Sequence, residues 1–493
     1  MIELLERART FGDRVAIVDA TGTFTYDELL GAARSVAARL LQGGVALGGA
    51  RVATMIPPSF TYVAVQWGIW LAGGIAVPLG LTHPDPEIEH VIDDAEAAII
   101  VAGRQYRERL EALAAGRDCV VLEADQLAVR QQHAAEPVVP LGDDAMLLYT
   151  SGTTGRAKGV VWRHSAIQAQ AEIMSAAWGW RADDRALLVL PLHHVHGLIN
   201  VVTTALWNGA AVEIHPGFDA AATWDSLISG EVTVFMAVPT IYSRLLVAED
   251  GFSAEERLSA KSRLAAMRLM VSGSAALPVA TLEAWQAVSG HVLLERYGMT
   301  EIGMALSNAY RGERIPGAVG RPLPSVLARV VDEADAPVGE GTPGRLQIRG
   351  PSVFERYWRR PEVTRQSFVE GWFRTGDVVE VTDGIYRILG RESVDIIKTG
   401  GEKVSALEIE EVLRSHPRVT DCAVVGVVDP EWGELVAAAV IAADDAPTLD
   451  EIRDFCRDRL APAKIPRRLI LTKELPRNSL GKVLKNQVKL LFL

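Results

Sequence analysis

Short apolar runs alternate with amphipathic stretches through the first three quarters of the chain. The runs Ala97 to Ala102, Ala145 to Tyr149, Ala186 to Leu190, Val232 to Ala237 and Leu269 to Ser272 are too short for helices. Each ends in turn or helix signals, so each predicts a buried strand. Thr25-Tyr-Asp-Glu28 has the hydroxyl and carboxylate of a capping box, and predicts a helix from there to about Leu41. Val63 to Leu81 is long enough to span a bilayer, but Gln66, Gly73-Gly74 and Pro78 interrupt it. It predicts a buried helix, a turn and a strand over Ile75 to Leu79. Buried strands alternating with helices imply layered α/β packing around mostly parallel sheets.

The texture becomes more polar and turn-rich after Arg349-Gly350-Pro351, as far as Asp383-Gly384. A compact tail follows, in the order helix (Ala406 to Ser415), strand (Asp421 to Val428), strand (Leu435 to Ala442), helix (Leu449 to Leu460), strand (Arg468 to Thr472). This α+β order places a boundary near Gly390-Arg391. The expected domains are a large layered α/β region over 1–390 and a small α+β domain over 391–493. Repeats and low-complexity segments are absent.

A length of 493 residues suggests about three folding units. With 49% hydrophobic and 23% charged residues, the composition is that of a globular enzyme. The net charge of −12 argues against a nucleic-acid partner, so an anionic ligand must be met by local positive charge. Cys119, Cys422 and Cys456 are widely spaced, which fits a reducing compartment better than a disulfide framework or a zinc site. The N-terminus carries acidic residues among its apolar ones, unlike a secretory or transit signal. The expectation is a cytoplasmic protein without a membrane partner.

The chemistry begins after the strand at Ala145. Thr150-Ser151-Gly152-Thr153-Thr154-Gly155 leads to Lys158 and Gly159. Glycines let successive N–H groups point into one concavity, and the hydroxyls and lysine add donors, which makes a polyphosphate cradle. It is not the Walker type, because no Gly-Lys-Ser/Thr occurs. Next comes Pro191-Leu-His-His-Val-His-Gly197, which reads as a metal site, a structural turn or a binding-site wall, with His194 facing the ligand. Without a local carboxylate or cysteine it lacks a familiar zinc pattern. Gly273-Ser274-Ala275 are small enough to let a flat ring approach the backbone. Glu295-Arg-Tyr-Gly-Met-Thr-Glu301 offers an aromatic face at Tyr297 and hard oxygens at Thr300 and Glu301; alone it reads more readily as a capped helix start. Asp377, after a glycine, suits a pair of ribose hydroxyls or simply a turn. Arg391, Gly400-Gly401 and Lys482 complete the series: a fixed donor fork, a deformable backbone and a point charge presented by a Gly-containing turn.

In order and spacing, and across essentially the whole chain, these elements resemble the adenylate-forming superfamily: acyl-CoA synthetases, luciferases and the adenylation domains of peptide synthetases. Within it the chain is most similar to the malonyl-CoA synthetases. The resemblance implies an AMP-forming acid–thiol ligase using ATP, Mg²⁺ and coenzyme A. Thr150 to Lys158 would hold the β,γ-phosphates. Gly273 to Ala275 and Tyr297 would line the adenine, and Asp377 and Arg391 the ribose side. Thr300 would lie near the α-phosphate, with Glu301 and Thr154 on Mg²⁺. Lys482 would bridge the carboxylate and α-phosphate. The small domain would be mobile about Val394-Asp395, bringing Gly400-Gly401 to the thiol donor in the second step.

Arg296 carries the substrate argument. An unpaired arginine beside the ligand is costly, so it either pairs with Glu295 or awaits a second carboxylate on the substrate. The second reading makes the substrate a short dicarboxylate, malonate or methylmalonate. Arg296, Ser274 and His194 would hold its far end, and Val195, Ile199 and Met304 would wall the pocket. The rival readings are a monocarboxylate CoA synthetase, a carrier-protein loading enzyme, and a nucleotide-binding relative without catalysis. The last should lack one of Lys158, Glu301, Asp377, Arg391 or Lys482, and all are present.

Overall fold

The computed structural model describes residues 2–128, 137–150, 156–442, 445–477 and 481–493. Two sheets carry the N-terminal region. The first has six strands in the order Val120–Glu123, Ile99–Ala102, Arg51–Met55, Ile75–Pro78, Asp144–Thr150 and Lys158–Arg163. Its neighbours are parallel until the last pair, an antiparallel hairpin in which Thr150 faces Lys158. The expected helix at Tyr26–Leu41 is present with its Thr25/Glu28 capping box. The interrupted apolar stretch is the buried helix Phe60–Leu71, capped by Ser59, followed by the strand Ile75–Pro78. Among the described residues no helix is long and apolar enough to cross a membrane.

The second sheet has nine strands. Its middle runs Leu294–Met299, Leu269–Ser272, Val234–Ala237, Arg185–Leu188, Ala211–Ile214, all parallel. After Arg185–Leu188 the chain adds Ala211–Ile214 on one side and Val234–Ala237 on the other. The order therefore reverses at that strand, and such a switch point leaves a crevice at the carboxyl ends of the strands. The histidine loop leaves from this strand, and Gly273 and Thr300 follow the two strands that lie beyond Val234–Ala237 in the same sheet.

A third, all-antiparallel sheet of five strands spans Leu327–Val331 to Ile385–Arg391. It begins before the change of texture at Arg349, because Leu327–Val331 is half exposed and its alternation is weak. The C-terminal sheet starts at Ile396, also with five strands, and is covered by the helices Ala406–Arg414, Leu449–Arg457 and Lys485–Leu490.

Candidate active site

The Glu295–Glu301 segment is not a capped helix start. It is the strand Leu294–Met299 followed by a turn, and strand alternation decides what each side chain does. Glu295 takes the Gly317 N–H on its Oε1 (2.8 Å). Arg296 does not pair with it. The Arg296 side chain is 5% exposed, and its Nε and Nη2 have no hydrogen-bond partner among the described residues. Burial pulls its guanidinium down to about 9, with Tyr242 nearby. It lies over Gly273, where an added Cβ would come within 2.6 Å of the guanidinium. The missing side chain at Gly273 thus makes room for an arginine.

Ser274 follows at φ 71°, a left-handed conformation that costs a serine about 1–2 kcal/mol. Its Oγ meets His196 Nδ1 at 3.1 Å. Of the three loop histidines it is His196, not His194, that joins Ser274 and feels the Arg296 charge. His194 stacks on His193, with ring centroids 4.1 Å apart. Burial lowers His193 to about 2 and His194 to about 4, so both rings are neutral near pH 7. No cluster of metal-binding side chains occurs among the described residues. His196 opens a π-helix, His196–Thr203, a form that recurs at functional sites. Ile199 and Met304 are wholly buried and Val195 is partly buried; the Met304 N–H is taken by Gln170.

A second cluster gathers Tyr297, Asp377 and Arg391. The Tyr297 hydroxyl donates to Asp377 Oδ2 (2.5 Å), and Arg391 Nη1 donates to Asp377 Oδ1 (3.2 Å). Both carboxylate oxygens face donors, which fixes the orientation of the acid.

A third cluster joins the exit of the phosphate loop to the Thr300–Glu301 turn. Residues 151–155 lie outside the described residues, and with them the expected roles of Ser151, Gly152, Thr153, Thr154 and Gly155. Lys158 opens the exit strand. From that strand the Trp162 indole donates to the Thr300 carbonyl (3.0 Å), and His90 Nε2 meets the Ala157 carbonyl (2.9 Å). Glu301 is buried, and burial raises its proton affinity above the usual carboxylate range. Its Oε1 takes the Tyr357 hydroxyl (2.8 Å). A buried hard oxygen of this kind fits Mg²⁺, which typically binds one or two carboxylates together with substrate phosphates. His196 was named only as part of the Pro191–Gly197 loop, with His194 preferred over it, and Trp162, His90 and Tyr357 escaped the sequence reading, because each acts across more than fifty positions and belongs to no short motif.

The C-terminal unit reaches this crevice. Gly481 packs against Thr240, where its Cβ would come within 2.8 Å, so the loop carrying Lys482 arrives at the carboxyl end of Val234–Ala237. Gly400 and Gly401 stand elsewhere. At φ 58° and 84° they form the tight turn between Ile396–Thr399 and Glu402–Ser405, with the Gly400 amide on the Trp432 carbonyl. Glu411 crosses to the N-terminal region and takes the Val279 N–H at 3.0 Å. It thereby caps the helix Val279–Ser289, whose own N-cap, Pro278, supplies no side-chain bond. A cavity of about 790 Å³ separates the two units beside this contact.

The AMP-binding enzyme family matches residues 4–358, and the AMP-binding enzyme C-terminal domain matches residues 408–482. The chain belongs to the AMP-binding enzyme family. Among curated relatives of this AMP-binding enzyme, a mitochondrial malonate–CoA ligase of Mus musculus is 43% identical over 98% of the chain and 89% of that protein. Among solved structures, ATP-bound MatB from Rhodopseudomonas palustris superposes with a TM-score of 0.92 at 34% identity, covering 100% of this chain and 99% of that one. The apo form of MatB, at the same coverage, superposes at 0.82. As a whole, the chain therefore superposes better on the ATP-bound structure than on the apo one.

Proposed function

We propose that this AMP-binding enzyme activates malonate with ATP and transfers the acyl group to coenzyme A. The observation that carries the dicarboxylate is Arg296, a buried cation with unused donors beside Ser274 and His196. A plain fatty acid would leave that charge unanswered, whereas the far carboxylate of malonate neutralises it. The full-length similarity to malonate–CoA ligases supports the same choice.

In the first step the near carboxylate attacks the α-phosphorus of ATP. An O–P bond forms, the bond to pyrophosphate breaks, and an acyl-adenylate results. Four anionic groups meet here, so the protein's part is positioning and charge stabilisation. We assign the ribose hydroxyls to Asp377, held by Tyr297 and Arg391. Lys158 serves the β,γ-phosphates, with residues 150–155, and Lys482 lies between the carboxylate and α-phosphate. Glu301, with Thr154, would hold Mg²⁺, which when bound neutralises phosphate charge. In the second step the thiolate of coenzyme A attacks the acyl carbonyl, forming C–S and releasing AMP. Gly400-Gly401 would approach the thiol only after the C-terminal unit turns, which requires release of Glu411 from Val279. Three free cysteines support a reducing compartment such as the cytoplasm.

The test is pyrophosphate release with ATP, Mg²⁺ and coenzyme A across acetate, butyrate, benzoate, malonate, methylmalonate and succinate. Turnover confined to malonate and its methyl derivative is expected. A preference for monocarboxylates would discard the dicarboxylate pocket and leave the adenylation chemistry.

A further inference from the structure

Tyr357 lies far in sequence from both the phosphate loop and Glu301, yet it touches both. Its hydroxyl donates to Glu301 Oε1 at 2.8 Å. Its ring lies under the Lys158 ammonium, 4.5 Å from nitrogen to centroid. The residue is 5% exposed, so neither contact is a loose surface encounter.

The backbone around it is fastened at both ends. Val160 and Tyr357 form a bridge. Val161 N–H donates to the Arg356 carbonyl (3.1 Å), and Trp358 N–H to the Gly159 carbonyl (2.7 Å). These bonds lock the segment to the exit strand of the phosphate loop. On the other side Phe354 N–H donates to the Glu301 carbonyl (2.8 Å), and Ser352 Oγ donates to the Ile302 carbonyl (3.1 Å). The Tyr357 amide is itself held by Thr364 Oγ1 (3.0 Å). The backbone that carries the ring is thus fixed between a lysine on one sheet and a glutamate in a turn at the end of a strand of another.

We propose that Tyr357 is a positioning residue with two separable actions: its hydroxyl aims one oxygen of Glu301 so that the other is free for a divalent cation, and its ring holds the Lys158 ammonium at the phosphate end of the site. The proposal rests on the adenylation reading above. A buried carboxylate with no fixed partner would rotate or take up a proton, and a lysine over an empty loop would swing into solvent. Outer partners of metal-binding carboxylates typically govern affinity by about 10- to 100-fold. A cation held over an aromatic ring contributes a smaller factor, roughly 2- to 30-fold.

The two actions separate in two variants of the full chain, Tyr357→Phe and Tyr357→Leu. ATP binding is measured by calorimetry without a carboxylate, first in EDTA and then across a Mg²⁺ titration, with Mn²⁺ binding followed by electron paramagnetic resonance. Tyr357→Phe keeps the ring. It is expected to bind ATP in EDTA within about twofold of the parent and to need about tenfold more Mg²⁺ or Mn²⁺ for half-saturation. Tyr357→Leu is expected to lose, in addition, about fivefold in metal-free ATP affinity. An unchanged metal requirement in Tyr357→Phe overturns the proposal, as does an equal fall of both variants in EDTA alongside a lowered melting temperature, which is the signature of a scaffold residue. The Phe variant removes a single oxygen, so it decides the hydroxyl's role even if the Leu variant fails to fold. Failure of the parent enzyme to bind ATP would instead strike the functional reading itself.

Discussion

Replacing Arg296 with methionine keeps an unbranched apolar stem and removes the charge. In the protein without substrate, that charge is a burden. Burial lowers the guanidinium from its ordinary value to about 9, and at about 1.4 kcal/mol per tenfold in proton affinity this sets a ceiling of a few kcal/mol. Exchange of buried ionic groups for apolar ones of similar volume often stabilises by about 1–4 kcal/mol. Arg296→Met should therefore melt at a higher temperature than the parent when no ligand is present. It should also lose the anchor for the far carboxylate. Removing one member of a desolvated charge pair costs about 2–5 kcal/mol, which is roughly 30- to several-thousand-fold in kcat/KM for malonate. The KM for ATP should change by less than about threefold, because Tyr297, Asp377 and Arg391 form a separate cluster. Thermal melts with and without malonate, alongside pyrophosphate-release kinetics, measure both effects. A variant that is no more stable, with an unchanged malonate KM, would return Arg296 to a structural role and remove the case for a dicarboxylate.

Glu295, on the other face of the same strand, makes a pH prediction. Burial, with a contribution from Glu411, raises it from 4.5 to about 7. The folded state thus binds the extra proton between these values, so stability falls as pH rises through that window, by roughly 3 kcal/mol in all. Glu295→Gln should flatten the fall in melting temperature between pH 5 and 7.5, and an unchanged slope would refute the assignment. Glu411→Ala removes the cap on Val279, worth about 1 kcal/mol. Acyl-adenylate formation should slow about fivefold while thioester formation from supplied adenylate is spared; equal slowing of both would show that Glu411 does not favour the first arrangement. Lys482→Ala should abolish adenylation and leave the second half-reaction intact, as rapid-quench assays of each half can establish, and loss of both would count against its role.

The candidate residues could be named from the sequence because their motifs are local. A glycine- and hydroxyl-rich turn ending in Lys158, and the run from Tyr297 to Glu301, carry their chemistry within a few positions. Their neighbours were not legible. The choice between His194 and His196 depends on the π-helix that begins at His196, and nothing in Pro191 to Gly197 encodes which ring meets Ser274. Gly273 looked like space for a flat ring, and the structure fills that space with the Arg296 guanidinium. The third sheet was not seen as a sheet, only as polar, turn-rich texture after Arg349, because strands such as Leu327–Val331 expose much of their surface and lack the apolar run that marks a buried strand.

The sequence by itself determined the α/β class, the capped helix at Tyr26–Leu41 and the helix, strand, strand, helix, strand order between Ala406 and Leu471. These follow from periodicity, capping and turn chemistry, which act between residues a few positions apart. Tertiary structure alone decided that Arg296 stands buried and unpaired, that Glu295 turns away from it, that Tyr357 joins Lys158 to Glu301, and that Glu411 fastens one unit to the other. Burial and pairing are properties of groups brought together from distant parts of the chain, and the free energy of a charge depends on its surroundings more than on its neighbours in sequence.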